Sequence, residues 1–202
     1  MDVLIVYGTT EGQTRKIAER SVMRVREHGH GVELYDSASP ATNLDVSTFH
    51  AMIVAASVHQ KCHQDSIIDF AIAHRDQLSS RPTAFISVSL SAVLEGEKME
   101  AQKYVDRFVA TTRWQPQKTL LLGGALRFTE YDYFQQQIVK YVVMKRGGLG
   151  NTERDYEFTD WKALARFVDE FLEAAELRFL RAERPAKSAH DRRKRSPHRR
   201  VC

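Results

Sequence analysis

Cysteine is nearly missing from this chain: 202 residues hold two, Cys62 and Cys202. That excludes a disulfide framework and a cysteine-built zinc site, and it fits a reduced, cytoplasmic setting. No stretch reaches 18 consecutive apolar residues, so no transmembrane helix is expected. The opening "MDVLIVYG" lacks the basic segment and cleavage site of a secretory leader. Two nucleotide signatures, G-x-x-x-x-G-K-[ST] and G-x-G-x-x-G, are also absent. No internal repeat is evident and no metal site is expected. What remains is a chain with 43% apolar residues, enough for one domain with a sizeable core.

Charge is unevenly spread. Of 30 basic and 26 acidic residues, ten and two fall in 178–202, so 1–177 hold 20 against 24, a net of about −4. The overall excess of +4 therefore belongs to the C-terminal stretch. From Pro185 onward that stretch is apolar-poor and rich in like charge, the composition of a disordered tail. It reads either as a solvated tail or as an electrostatic tether to an anionic surface.

Strand and helix patterns alternate along the rest. "VLIVY" (3–7) is a short apolar run of the kind buried on both faces of a parallel sheet. Spacing predicts a helix over 13–28, stopped by "HGHG", then strands over 32–36 and 51–57. A helix over 65–78, a strand over 83–90, a helix over 97–112 and a fifth strand over 119–126 follow. A last amphipathic helix spans 159–181, capped by Thr159 or Asp160. This rhythm implies an α/β fold with a doubly wound five-stranded parallel sheet. Residues 127–158 break the rhythm as a helical insertion between strand five and the last helix, with Phe128, Tyr131, Tyr133, Phe134 and Tyr141 among basic residues. The expected organisation is a domain over 1–180 and a basic tail over 181–202.

The stretch "YGTTEGQTRKIAE" (7–19) spends seven small or polar residues where strand one turns into a helix. At the carboxyl ends of such strands, a helix N-terminus and backbone N–H groups favour a phosphate. No lysine or arginine precedes Arg15, so neutral donors would hold it. A plain hydroxyl-rich cap is the alternative.

The same residues resemble the flavodoxin family, whose first loop reads T-x-x-G-x-T and holds the phosphate of flavin mononucleotide (FMN). Thr9, Thr10, Glu11, Gly12, Gln13 and Thr14 stand at the matching places. The likeness extends over about residues 1–175 to the bacterial quinone-dependent protoporphyrinogen oxidases. It is carried by "GTTEGQTRKIA" (8–18), Ala55–Val58, Pro82–Leu90, Trp114–Pro116, Gly123–Phe128, Met144–Gly148 and Phe158–Trp161. The pair "GGALRF" and "MKRGG" is its specific part, since ordinary flavodoxins have no such segment. After strand three the chain reads "SVHQKCHQ" (57–64), where that family tends to carry glycine and tyrosine.

The resemblance implies a flavodoxin-like strand order 2-1-3-4-5, FMN as cofactor, protoporphyrinogen IX as substrate in haem biosynthesis, and menaquinone or ubiquinone as acceptor of its six electrons. It implies a peripheral protein at the cytoplasmic face of the inner membrane and no nucleic-acid partner. Ser57, Val58, His59, Ser87, Val88, Ser89, Leu90 and Ser91 are the expected flavin-ring contacts. Arg127, Lys145 and Arg146 are candidates for the substrate carboxylates, because a carboxylate prefers a charged, fork-shaped donor. His59 and His63 are candidates for moving protons or for simple polar contacts. Two other classes stay open: a flavodoxin-like electron carrier, which a body of about −4 fits poorly, and a general FMN-dependent quinone reductase.

Overall fold

A computed structural model describes residues 1–39, 44–94, 96–126 and 156–183. The insertion's middle, 127–155, and the tail from 184 onward lie outside them, as do Arg127, Lys145 and Arg146.

Strand β1 (Asp2–Gly8) is buried from Val3 onward, which only a central strand covered on both faces achieves. It pairs in parallel with β2 (Gly31–Asp36) on one side and β3 (Ala51–His59) on the other, Ile5 lying opposite Leu34 and Ile53. Beyond β3 come β5 (Thr83–Val88) and β6 (Lys118–Leu122), giving the path β2-β1-β3-β5-β6. These five are the parallel strands expected from sequence, in the expected 2-1-3-4-5 order. Within this sheet, among the described residues, β4 (Cys62–His63) was not foreseen; it folds back antiparallel on the end of β3.

Period-two alternation sends neighbouring side chains to opposite faces. Val3, Ile5 and Tyr7 meet helices α1 (Gln13–Glu27) and α5 (Trp161–Glu183). Leu4 and Val6 meet the layer of α2 (Asp65–Ala73) and α4 (Lys98–Thr112). In that second layer Phe85 stacks on Phe108, centroids 4.5 Å apart, and both meet fully buried Trp114 edge-on. Burial of side chains this size contributes about 1.5–3 kcal/mol each. Across α1 and α5, Arg24 forks onto Asp169 at 2.5 and 2.8 Å.

Several boundaries differ from expectation, among them strand four, which ends at Val88 rather than 90. The helix expected over 65–78 breaks at His74 (φ −110°, ψ 21°) into α2 and a short α3 (Arg75–Ser80), with Leu78 buried beneath α3. Strand five ends at Leu122 rather than 126. Gly123 follows, and a Cβ there would stand 2.5 Å from the Phe158 carbonyl oxygen and 2.6 Å from Val93 Cγ1. This close approach turns the chain out of the sheet, and β7 (Ala125–Leu126) pairs antiparallel with β8 (Tyr156–Glu157) instead. The last helix begins at Trp161 and runs to Glu183, into the stretch expected as tail; Asp160 caps it, its Oδ1 accepting from the N–H groups of Lys162 and Ala163 at 3.0 and 2.9 Å.

Candidate functional site

The loop between β1 and α1 is built around Gly12. Its φ of 87° is left-handed, a conformation glycine enters freely and a β-branched residue does not. The Gly12 N–H donates to Thr9 Oγ1 at 2.9 Å, closing the loop on itself. Among the described residues no side chain caps α1, and its first turn carries no acid, so the helix's own first turn does not neutralise its positive end. Thr14 is fully buried in that first turn, and among the described residues its Oγ1 has no hydrogen-bond partner. An orphaned buried hydroxyl costs about 1–3 kcal/mol. Arg15, the first cation, lies on the outer side and pairs with Glu19 at 2.9 Å. Neutral donors, an uncapped helix end and an unpartnered hydroxyl together fit a phosphate monoester.

Neighbouring elements hold this loop in place. Gln13 Nε2 donates to Thr159 Oγ1 at 2.9 Å, and Thr159 donates to the Gly123 carbonyl at 2.9 Å, tying α1 to the end of β6 and the root of α5. Gln64 Nε2 donates to Thr10 Oγ1 at 3.0 Å and also to Ser57 Oγ, tying the loop to the end of β3. Gln64 carried no signal in the sequence. Its role depends on the β3–β4 reversal, which brings residue 64 back beside residue 10.

Beside the loop opens a cleft of about 820 Å³, within the range of about 300–1,000 Å³ usual for small-ligand sites. Of the fourteen residues expected to bind the cofactor, twelve line it: Thr9, Thr10, Glu11, Gln13, Thr14, Ser57, Val58, His59, Val88, Ser89, Leu90 and Ser91. Gly12 shapes the loop from behind. Ser87 sits elsewhere. It shares the face of Phe85 in β5, is fully buried, and its Oγ lies 3.0 Å from His63 Nε2. Alternation along the strand explains this: Ser87 follows Phe85 to one face, while Val88, the strand's last residue, and Ser89, Leu90 and Ser91 beyond its end line the cleft. Ser89 Oγ is itself buried and unpartnered.

His63 is not a proton carrier of the cleft. It is 4% exposed, its ring lies edge-on to Phe85 and Phe108 at 5.3 and 5.2 Å, and burial pushes its pKa down to about 4. It stays neutral at physiological pH and pins β4 to β5. His59 lines the cleft.

The far wall comes from α4 and the turn before it. Leu94, Glu97, Met99, Glu100, Lys103 and Tyr104 face the cleft, none of them singled out from sequence. Ser91 Oγ donates to Glu97 Oε2 at 2.9 Å and lies 3.4 Å from the Tyr104 hydroxyl, fixing a carboxylate in that wall. On the opposite rim stand Gly124, Ala125 and Phe158, which belong to the β7–β8 ribbon and the residues flanking it. Segment 127–155 therefore leaves and rejoins the described structure at the cleft's edge.

Comparison with known proteins agrees with this geometry. The curated "Protoporphyrinogen IX dehydrogenase [quinone]" of Escherichia coli strain K12 is 26% identical over 171 residues, covering 84% of this chain and 94% of that protein. A protein of the same name from Leishmania major is 25% identical over 173 residues, 83% of this chain and 73% of that one. Among solved structures, oxidised flavodoxin 1 from Bacillus cereus superposes with a TM-score of 0.54 at 14% identity, covering 86% of this chain and 98% of that chain. A short-chain flavodoxin associated with a PDU bacterial microcompartment gives 0.50 at 14%, with coverages of 87% and 99%. At that identity the likeness concerns the fold. The flavodoxin domain model matches residues 4–154, about three-quarters of the sequence, and the chain belongs to the flavodoxin domain family.

Proposed function

We propose that this chain is an FMN-dependent oxidoreductase that converts protoporphyrinogen IX to protoporphyrin IX and passes the electrons to a respiratory quinone, menaquinone or ubiquinone, in haem biosynthesis. The observation that carries the reading is a convergence at the carboxyl ends of the strands. A cation-free loop suited to phosphate, a largely apolar cleft and both roots of segment 127–155 meet there. The names of the relatives from E. coli and L. major support the choice of substrate and acceptor.

FMN, when bound, supplies the two-electron chemistry. The chain's part is to hold and to shield. Thr10 and Thr14 hydroxyls and the first N–H groups of α1 would take the phosphate. Residues 57–59 and 88–91 would flank the ring system and exclude water from it. Glu97, held by Ser91, is the carboxylate of the wall able to accept a proton released by the substrate. Among the described residues no helix is long and apolar enough to cross a membrane. A membrane-dissolved acceptor then calls for peripheral contact, which we place at the cytoplasmic face of the inner membrane.

The test is an anaerobic assay of FMN-loaded protein with protoporphyrinogen IX and a soluble quinone. Porphyrin fluorescence should rise in step with quinone reduction. A protein that binds FMN but exchanges electrons only with a reductase would be an electron carrier. One that reduces quinone only with a nicotinamide donor would be a general quinone reductase.

A further inference from the structure

In a body of net charge about −4, cations nonetheless gather on one side of the cleft. Lys61 lies in the β3–β4 turn, and Lys103 and Arg107 lie one turn apart on α4; both lysines line the cleft. Arg107 Nη1 donates to the Lys61 carbonyl at 2.8 Å, so the turn and the helix are in direct contact. Lys103 Nζ donates to Glu100 Oε2 at 3.0 Å. The Glu100 carboxyl is held below its ordinary range, foremost by that hydrogen bond, and the fields of Lys103, Lys61 and Arg107 all reach it. Among the described residues neither Lys61 nor Arg107 is in an ion pair.

The turn itself points the same way. Its two central residues, Gln60 (φ 49°) and Lys61 (φ 66°), are both left-handed, as a two-residue type I′ hairpin requires. Asn-Gly meets that demand with least strain, and a lysine in the second place does not. The turn has no need of a lysine, so the reason for one lies in what its ammonium meets. Next to it the wall carries the apolar Val58, Leu90, Val93, Leu94 and Met99, the last 77% exposed, with Glu97 held by Ser91 and Glu100 by Lys103. A ligand that suits this wall has a flat apolar body and carboxylates at its edge.

We infer that Lys61 and Lys103 recognise the side-chain carboxylates of the tetrapyrrole substrate, and so select an acidic porphyrinogen over a neutral one. The inference rests on the functional reading above and adds a carboxylate site within the folded domain. It does not depend on Arg127, Lys145 or Arg146.

The experiment titrates FMN-loaded protein with protoporphyrin IX and, separately, with its dimethyl ester, following porphyrin fluorescence in the same detergent. The wild type should bind the diacid more tightly than the diester, with the gap narrowing as salt rises. Lys61→Gly should weaken diacid binding roughly fivefold, the upper end for a solvent-exposed ion pair, and leave the diester unchanged. Its thermal midpoint should hold or rise, because glycine relieves the left-handed strain. Lys103→Gln should act in the same direction, and Lys61→Arg should restore affinity. Equal binding of diacid and diester by the wild type, or unchanged diacid affinity in both Lys61→Gly and Lys103→Gln, overturns the inference and leaves the functional reading standing. A wild type that binds neither porphyrin overturns both.

Discussion

Thr14 and His63 are buried polar residues whose environments lead to opposite consequences. The unpartnered Thr14 hydroxyl is a local cost, so Thr14→Val should stabilise flavin-stripped protein by about 1 kcal/mol or more. The same change should weaken FMN binding about ten- to a hundredfold, since a hydrogen bond to a charged group contributes about 1.5–3 kcal/mol. Urea melts and flavin-fluorescence titrations of one preparation check the two signs; a loss in both would mean that Thr14 is only packing. Gly12→Val should differ, losing stability as well as FMN, because valine at φ 87° is strained. His63 contributes to acid behaviour, as do His30 and His74, whose pKa values burial also lowers. The pKa of His63 is about 4 in the fold against an ordinary 6.5, so the folded state refuses a proton that the unfolded chain accepts. The resulting stability is complete above pH 6.5 and is lost as pH falls from there toward 4, about 3 kcal/mol in all. The urea midpoint of the wild type should fall across that window, and His63→Phe should flatten the fall. Equal slopes would remove His63 from the account.

At the scale of elements, the β7–β8 ribbon matters most. Ala125 pairs with Glu157 and Leu126 with Tyr156, so a short turn can join the strands in place of residues 127–155. With an Asn-Gly turn there, the chain should keep its sheet and its FMN and lose quinone-dependent protoporphyrinogen oxidation. Flavin absorbance and porphyrin fluorescence on one sample decide it. Retained oxidation would free the segment from any substrate role, and joint loss of flavin and fold would make it structural. Gly123 sets the geometry of this ribbon. Gly123→Ala should lower stability by several kcal/mol, because its Cβ meets backbone at 2.5 Å and backbone yields little. A thermal melt within 2–3 °C of the wild type would show that the rim adapts after all.

Over the whole molecule, charge is divided between an acidic body and a basic end. Residues 184–202 carry eight Lys/Arg against Asp191. Each basic residue near an anionic lipid surface contributes about 1 kcal/mol at most, and salt screens it. A chain ending at Glu183 should therefore lose most of its sedimentation with phosphatidylglycerol vesicles while keeping FMN. Unchanged sedimentation would move the membrane contact elsewhere on the molecule.

Much of this organisation was legible before any coordinates. Apolar runs such as 3–7 and 51–57, and the 3.6-residue spacing of 13–27, are local records of burial, and alternation of the two points to a doubly wound sheet, while the strand order came from the flavodoxin resemblance. The loop over 9–14 was legible as a candidate phosphate site because its composition, hydroxyls and glycine without cations, suits that binding chemistry. Only the tertiary structure decided the rest, because those features come from residues distant in sequence meeting in space. Gln64 bonds to Thr10 across 54 positions, and Arg107 to Lys61 across 46. Ser87 and Ser89, two residues apart, have different fates because the strand ends between them. The end of strand five at Leu122 depends on how near the Phe158 carbonyl comes to Gly123. Local pattern specifies which segments are buried and in what form. Which side chains share a cleft depends on where those segments end and what lies across from them.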